Sequence, residues 1–270
     1  MTAVCVVGSL NIDLVTSVRA HPRPGETVRG TGLDRLPGGK GANQALAAAR
    51  AGARTLLCGR IGADGTGYRA GLTERGVDCE GVHEVPDTPS GHALIAVDGH
   101  GENTIIVIPG ANAAMTAAEV DRHADAITAA GVLLLQLEIP LPAGRRAAEL
   151  ARAAGVRVLL NPSPFAVPPD ELLAVADPLV VNEHEAARLP ADATRSVCVT
   201  LGERGARWGE LTMPAPGGVD VVDTTGAGDS FAGALAAALA CGASEADALR
   251  QAVAAGTEAC GWPGAQGWRL

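Results

Sequence analysis

The chain has 270 residues, 47% hydrophobic and 19% charged, with a formal net charge of −9 and an isoelectric point near 5.1. That much apolar sequence can bury a large core, as one α/β domain or two smaller ones, while the acidic balance argues against general affinity for nucleic acid or anionic membrane surfaces. Aromatics are only 2% of residues, which disfavours base-stacking platforms, so any phosphate site must be local.

Residues 3–9 form a β-branched apolar run ending in Gly-Ser, read as a buried strand and a turn. No basic region with a long apolar stretch precedes it, so no signal peptide is expected, and no apolar run is long enough to span a membrane. Residues 26–36 are extended and rich in Gly and Thr. Residues 42–50 are Ala-rich and helical, 55–58 strand-like and 67–75 helical. Two extended segments, 91–97 and 104–108, flank an Asp-Gly turn and predict a hairpin. Strand-like runs follow at 132–137, 156–160, 179–181 and 197–201, with a helix over 143–154, and two Ala-rich helices over 226–240 and 244–260. Strands alternating with helices predict an α/β fold: a mainly parallel central sheet with helices on both faces. Segments near 14–36 and 90–110 break that rhythm and predict a small β lid on a single domain spanning 1–270.

Six cysteines at 5, 58, 79, 198, 241 and 260 form no C-x-x-C pair and suit reduced thiols in a cytoplasmic protein. Of 21 basic residues, Lys40 is the only lysine, a place where a planar guanidinium would not serve or a chance survivor in a loop.

Ligands of open parallel sheets bind beyond the carboxyl ends of the strands, and polar residues gather there. Asn11 and Asp13 follow the first strand two apart and point to one side. Glu138 closes the run 133–137, Asn182 and Glu185 follow 179–181, and Thr200, Gly202 and Gly205 follow 197–199. Each alone reads as ordinary strand-exit turn chemistry; their coincidence on one rim suggests a site. The segment 38–43, Gly-Gly-Lys-Gly-Ala-Asn, fails the P-loop pattern but is a Gly-rich helix entry suited to a polyol, with Lys40 and Asn43 as donors. The histidines show no metal-ligand spacing. At 223–230, Asp-Thr-Thr-Gly-Ala-Gly-Asp-Ser opens a long helix, where bare amides favour an anion. Asp229 sits beside that cradle, either as a proton acceptor for an attacking hydroxyl or as a common first-turn acid.

Four segments together carry a family likeness: Val-Val-Gly-Ser-Leu-Asn-Ile-Asp at 6–13, Pro-Gly-Glu-Thr-Val at 24–28, Gly-Gly-Lys-Gly-Ala-Asn-Gln-Ala at 38–45, and Asp-Thr-Thr-Gly-Ala-Gly-Asp at 223–229. The chain resembles the ribokinase (PfkB-type) family of ATP-dependent carbohydrate kinases from Val4 to Gln266. The resemblance implies transfer of phosphoryl from ATP to the 5-hydroxyl of D-ribose. It implies that Asn11, Asp13, Gly39, Lys40, Asn43 and Glu138 hold the sugar, that Asp229 is the base, and that the amides of Gly226, Ala227 and Gly228 form the anion hole. Asn182 and Glu185 would organise magnesium and the ATP phosphates, and Thr200, Gly202 and Gly205, with Gly228, would bind the nucleotide. Asp223 and Thr225, with Ala259 and Gly264, would hold a potassium ion, and the lid would pair two copies into a homodimer. Two departures stand out: the connection 186–196 is near the minimum for a parallel crossover, and Trp262-Pro263 replaces the basic residues usual near the cation. The rival readings are a related kinase for deoxyribose, fructose or adenosine, and a sugar-binding protein that has lost catalysis.

Overall fold

The computed structural model describes residues 4–190, 193 and 196–270; residue 3 of the expected first strand, and 191, 192, 194 and 195 of the short connection, lie outside the described residues. In chain order the strands are β1 (Val4–Val7), β2 (Asn11–Val18), β3 (Gly30–Gly38), β4 (Thr55–Ile61), β5 (Val77–Asp78), β6 (Val82–Glu84), β7 (Gly91–Val97), β8 (Asn103–Ile108), β9 (Val132–Leu135), β10 (Arg157–Leu160), β11 (Ala176–Asn182), β12 (Val197–Thr200), β13 (Ala206–Trp208) and β14 (Leu211–Met213). The helices are α1 (Lys40–Arg50), α2 (Thr66–Glu74), α3 (Ala117–Asp121), α4 (Ala124–Thr128), α5 (Leu141–Ala153), α6 (Asp170–Leu173), α7 (Glu183–Ala186), α8 (Ala227–Ala240) and α9 (Glu245–Ala259).

The main sheet runs β14-β13-β12-β11-β10-β9-β1-β4-β5, with β6 beside β4. It is parallel from β12 to β5, and β13 and β14 extend one edge antiparallel. Both faces are covered because successive residues of a strand point opposite ways. Val4, Val6, Leu134, Leu159 and Val180 pack under α1, α2, α8 and α9, whereas Cys5, Val7, Leu133, Leu160 and Val181 pack under α3 to α6. Unbroken apolar runs are what such doubly covered strands require.

β1 has β4 on one side and β9 on the other. Chain order therefore reverses at β1, and a crevice opens at its carboxyl end. Three residues later the chain enters a second sheet, ordered β3-β2-β7-β8, in which β2 and β7 are parallel and the outer pairs antiparallel. The expected hairpin is there, its turn closed by the Asp98 amide donating to the Glu102 carbonyl at 2.9 Å. β2 is a full eight-residue member of this sheet, beginning at Asn11, whereas the lid segment is expected near 14–36.

Some boundaries shift for local reasons. The extended segment expected from residue 26 starts at Gly30, because residues 23–26 close a turn: the Glu26 amide donates to the Arg23 carbonyl at 2.9 Å, with Gly25 at φ 84°. The strand expected over 132–137 stops at Leu135, and the Leu137 amide turns to the Ser163 carbonyl. The connection after β11 is short, yet β11 and β12 still pair in parallel, with α7 as the crossover's one described helix.

Candidate active site

The first turn of α1 lies against the corner where β1 becomes β2. Ser9 at that corner donates its hydroxyl to Glu138 Oε2 at 2.5 Å, and the same oxygen accepts from the Lys40 amide at 2.9 Å. Ser9 Oγ in turn accepts from the Gly41 amide at 3.2 Å. Glu138, just past β9, thus satisfies an orphan amide at a helix start that lacks its own side-chain cap. Lys40 is in the first turn of this helix, not in a loop. Beside it, Asn11 Oδ1 accepts from Asn112 Nδ2 at 2.7 Å, while Asn112 Oδ1 accepts from the Leu10 amide at 3.0 Å. Asn11 is thereby held at the root of β2, two residues before Asp13.

Asp229 enters from the opposite side, in the first turn of α8. The two helices approach closely: a Cβ at Gly233, one turn beyond Asp229, would come within 2.4 Å of the Gln44 carbonyl oxygen. That contact places the Asp229 carboxylate, only 6% exposed, between two amide donors of α1. Asn43 Nδ2 donates to Oδ2 at 2.9 Å and Gln44 Nε2 to Oδ1 at 2.8 Å. A carboxylate so buried keeps its charge only when its oxygens are paired.

Charges crowd this rim. Burial, reinforced by Glu138 and Asp229 and partly relieved by Lys40, pushes the Asp13 carboxyl up to about 7. Lys40 is held above the usual lysine range, chiefly by Asp229 against the opposing effect of burial, with help from Glu138, Glu185 and Asp13. Three carboxylates and one ammonium therefore share one mouth, where hydroxyls would find acceptors and an anion a cation.

The nucleotide-side candidates follow along the same edge. Asn182 and Glu185 form a reciprocal cap, the Glu185 amide donating to Asn182 Oδ1 and the Asn182 amide to Glu185 Oε2, both at 2.9 Å. Thr200 ends β12, and Gly202 and Gly205 follow with φ of 59° and 92°. A Cβ at Gly205 would meet the Met213 carbonyl at 2.0 Å, so the fold itself requires that glycine. At the start of α8, Gly226 has φ 78° and presses on Ala265, and Gly228 faces open space. The three amides expected to form the anion hole, those of Gly226, Ala227 and Gly228, stand together at this helix start, where the Ala227 amide donates to the Thr224 carbonyl at 3.2 Å.

Asp223 joins two loops, accepting from the Thr225 amide at 2.9 Å and the Gly264 amide at 2.8 Å. Burial alone would raise its carboxyl, but the Thr225 hydroxyl together with the Thr225 and Gly264 amides outweighs it and leaves the group below the ordinary carboxylate range. Ala259 ends α9, and the carbonyl of the next residue, Cys260, accepts from the Val222 and Asp223 amides. All four residues expected around a monovalent cation are therefore drawn to one loop junction.

Several residues of the site escaped the sequence reading: Ser9, Gln44, Tyr68, Asn112, Gln136, Asn161 and Gln266. A signal existed for some, since Gln44 interrupts an otherwise apolar Ala-rich face and Gln136 an apolar strand run; buried polar groups at apolar positions need partners. Tyr68 and Gln266 lie far from any motif and come together only in the fold.

The model of the family described as pfkB family carbohydrate kinase matches residues 1–268. The chain is 38% identical to the ribokinase of Bacillus subtilis (strain 168), covering 99% of this chain and 96% of that relative. It is 40% identical, over 88% of its own length, to a bifunctional ribokinase/ribose-5-phosphate isomerase A of Fructilactobacillus sanfranciscensis, but spans only 49% of that protein. The solved structure of Arabidopsis thaliana ribokinase complexed with ribose and ATP is similar with a TM-score of 0.88 at 34% identity, covering 97% of this chain and 94% of that one.

Proposed function

The chain belongs to the pfkB family of carbohydrate kinases, and from that premise we propose that it transfers the terminal phosphoryl group of ATP to the 5-hydroxyl of D-ribose, giving ribose 5-phosphate and ADP. The observation that carries this reading is the buried Asp229 carboxylate at the start of α8, facing the polyol-matched cluster of Asn11, Asp13, Lys40, Asn43 and Glu138. Asp229 takes the proton of the 5-hydroxyl as its oxygen attacks phosphorus, and the amide pairs from Asn43 and Gln44 hold the carboxylate in line. Gly226 and Gly228 bring the helix start close to the phosphates, where its partial positive charge offsets the charge of the moving group. Gly39 lets the chain turn beneath the sugar, while Thr200, Gly202 and Gly205 border the nucleotide.

Asn182 and Glu185 suit magnesium, since hard oxygens near phosphates are what that ion selects; when bound, it supplies neutralisation of phosphate charge. The oxygens of Asp223 and its neighbours suit potassium at the junction of Thr225, Ala259 and Gly264. The chain acts as a single domain in which the four-stranded sheet is the lid, excluding water that would otherwise accept the phosphate. β8 exposes Ile105, Ile106, Val107 and Ile108 by 41–58%, which supports pairing of two lids in a homodimer. All six cysteines are unpaired, which supports a cytoplasmic setting. Among the described residues no helix is long and apolar enough to cross a membrane.

A coupled assay of ADP release tests the substrate, run with ribose, deoxyribose, fructose and adenosine, with and without potassium. Ribose should turn over fastest and potassium should raise its rate. Faster turnover of fructose or adenosine would overturn the ribose reading, and calorimetric ribose binding with no turnover would favour a sugar-binding protein.

Asp13 makes a pH prediction with two opposite signs. Ribose hydroxyls donate to its ionised form, so affinity should tighten as pH rises through about 7 and then level off. A carboxyl raised from 3.8 to about 7 on folding binds its proton more firmly in the folded chain, so the free protein's stability should decline over the same rise in pH. Calorimetry and thermal melts from acid to alkaline pH would show both trends, and Asp13→Asn should flatten both.

A further inference from the structure

The Asp229 carboxylate is the end point of a one-way hydrogen-bond relay that begins in the tail of the chain. An indole N–H can only donate. Trp268 Nε1 lies 3.0 Å from Gln266 Oε1, so the Gln266 side chain must present its oxygen to Trp268 and its nitrogen to the interior. Gln266 is 1% exposed, and its Nε2 donates to Asn43 Oδ1 at 2.8 Å and to the Tyr68 hydroxyl oxygen at 2.6 Å. With its oxygen so engaged, Asn43 must turn Nδ2 toward Asp229, where it donates at 2.9 Å. The Tyr68 hydroxyl, kept protonated by burial, passes its own hydrogen to the Gly38 carbonyl at 2.7 Å and so leaves Gln266 no competing donor.

The other oxygen of Asp229 is addressed in the same manner. The Val180 carbonyl accepts from Asn161 Nδ2 at 2.9 Å, so Asn161 Oδ1 faces Gln44 Nε2 at 3.0 Å, and Gln44 Oε1 accepts from Gln136 Nε2 at 2.6 Å. Each relay starts at a group with one possible role, an indole N–H or a backbone carbonyl, and ends as a donor on the carboxylate.

We propose that Trp268 and Gln266 are positioning residues for the base, the indole N–H fixing the Gln266 amide and Gln266 fixing the Asn43 amide, so that Asp229 always meets a donor. The proposal rests on Asp229 being the base. Two contacts hold the Trp268 ring in place. The Arg75 guanidinium stacks 4.0 Å from it, and Gly71 makes room where a Cβ would lie 2.4 Å from the indole edge. Arg50 Nη2 also donates to the Gln266 carbonyl at 2.6 Å and anchors the backbone there. Were Asn43 to flip, its oxygen would face a carboxylate and oppose the ionised form.

The test is the titration of Asp229 followed by carboxyl carbon NMR in wild type, Trp268→Phe and Gln266→Glu, the signal being assigned by its loss in Asp229→Asn. Asp13 from β2 and Lys40 from α1 also face Asp229, and Glu138 after β9 and Glu185 reach Lys40; all are unchanged in these variants. The midpoint should move upward by about one pH unit in Gln266→Glu, which offers Asn43 and Tyr68 an acceptor in place of a donor, and by less in Trp268→Phe. The acid limb of kcat for ribose should move with it, while the ribose KM changes by less than about twofold. Folded variants with an unmoved Asp229 midpoint would overturn the relay. An unmoved midpoint alongside normal ribose turnover would sink the relay alone, whereas a moved midpoint in a protein that ignores ribose would sink only the substrate assignment.

Discussion

Asp229→Asn should lower kcat for sugar phosphorylation by about 10²- to 10⁴-fold, the usual contribution of a positioned general base, while the sugar KM changes little. The kinetic split follows from the role: the carboxylate is needed when the hydroxyl loses its proton, not when the sugar docks. The structure adds a second expectation. Both Asp229 oxygens accept from side-chain amides, Asn43 Nδ2 and Gln44 Nε2. An asparagine there brings its own NH2 against one of these donors, so one buried bond becomes a donor–donor contact costing about 1–3 kcal/mol. Urea denaturation should therefore show a modest loss of stability beside the large loss of rate. Retained turnover in a stable Asp229→Asn protein would exclude the residue as the base.

Gly39→Ala should be among the most destabilising single-methyl additions in the chain, at about 2–6 kcal/mol from backbone strain and overpacking together. Gly39 caps α1 with φ 85°, a conformation that costs a Cβ-bearing residue dearly. Its Cβ would also lie 2.5 Å from the Asn11 amide nitrogen and 2.9 Å from the Leu10 Cα, backbone atoms that cannot rotate away. Gly52 is a matched control, with φ 89° but no atom within 4 Å of an added Cβ, so Gly52→Ala carries the strain without the collision. Denaturant midpoints for the two variants should differ by more than about 1 kcal/mol. Equal midpoints would mean that conformation alone, and not the crossing of α1 over the β1–β2 corner, requires glycine. Gly39→Ala should also weaken sugar binding, because Asn11 sits on the displaced segment.

The main architecture was legible because doubly covered parallel strands need apolar runs, and runs such as 132–135 and 179–181 have no competing reading once helices are seen between them. The small sheet was half legible. Its hairpin has a turn signature, whereas β2 mixes polar and apolar residues with both kinds partly exposed, so its length was hidden. Among site residues, those on glycine-rich turns announced themselves through backbone demands. Glu138 carries a subtler message: the resemblance implies a sugar contact, and in the fold its carboxylate caps α1. Gln266 and Tyr68 were invisible, because a bond between residues 198 positions apart leaves no local trace.

The single lysine has a practical consequence for chemistry done on this protein. Lys40 stands at the mouth of the site with Asp229 holding its proton on, so an acylating reagent finds one lysine side chain in the molecule, and finds it mostly unreactive at neutral pH. Raising the pH should switch the modification on, sugar should switch it off, and removing the Asp229 charge should speed it. The acylated peptide carrying Lys40, separated by digestion from any acylated α-amino group, would then report occupancy of the site without any turnover being measured.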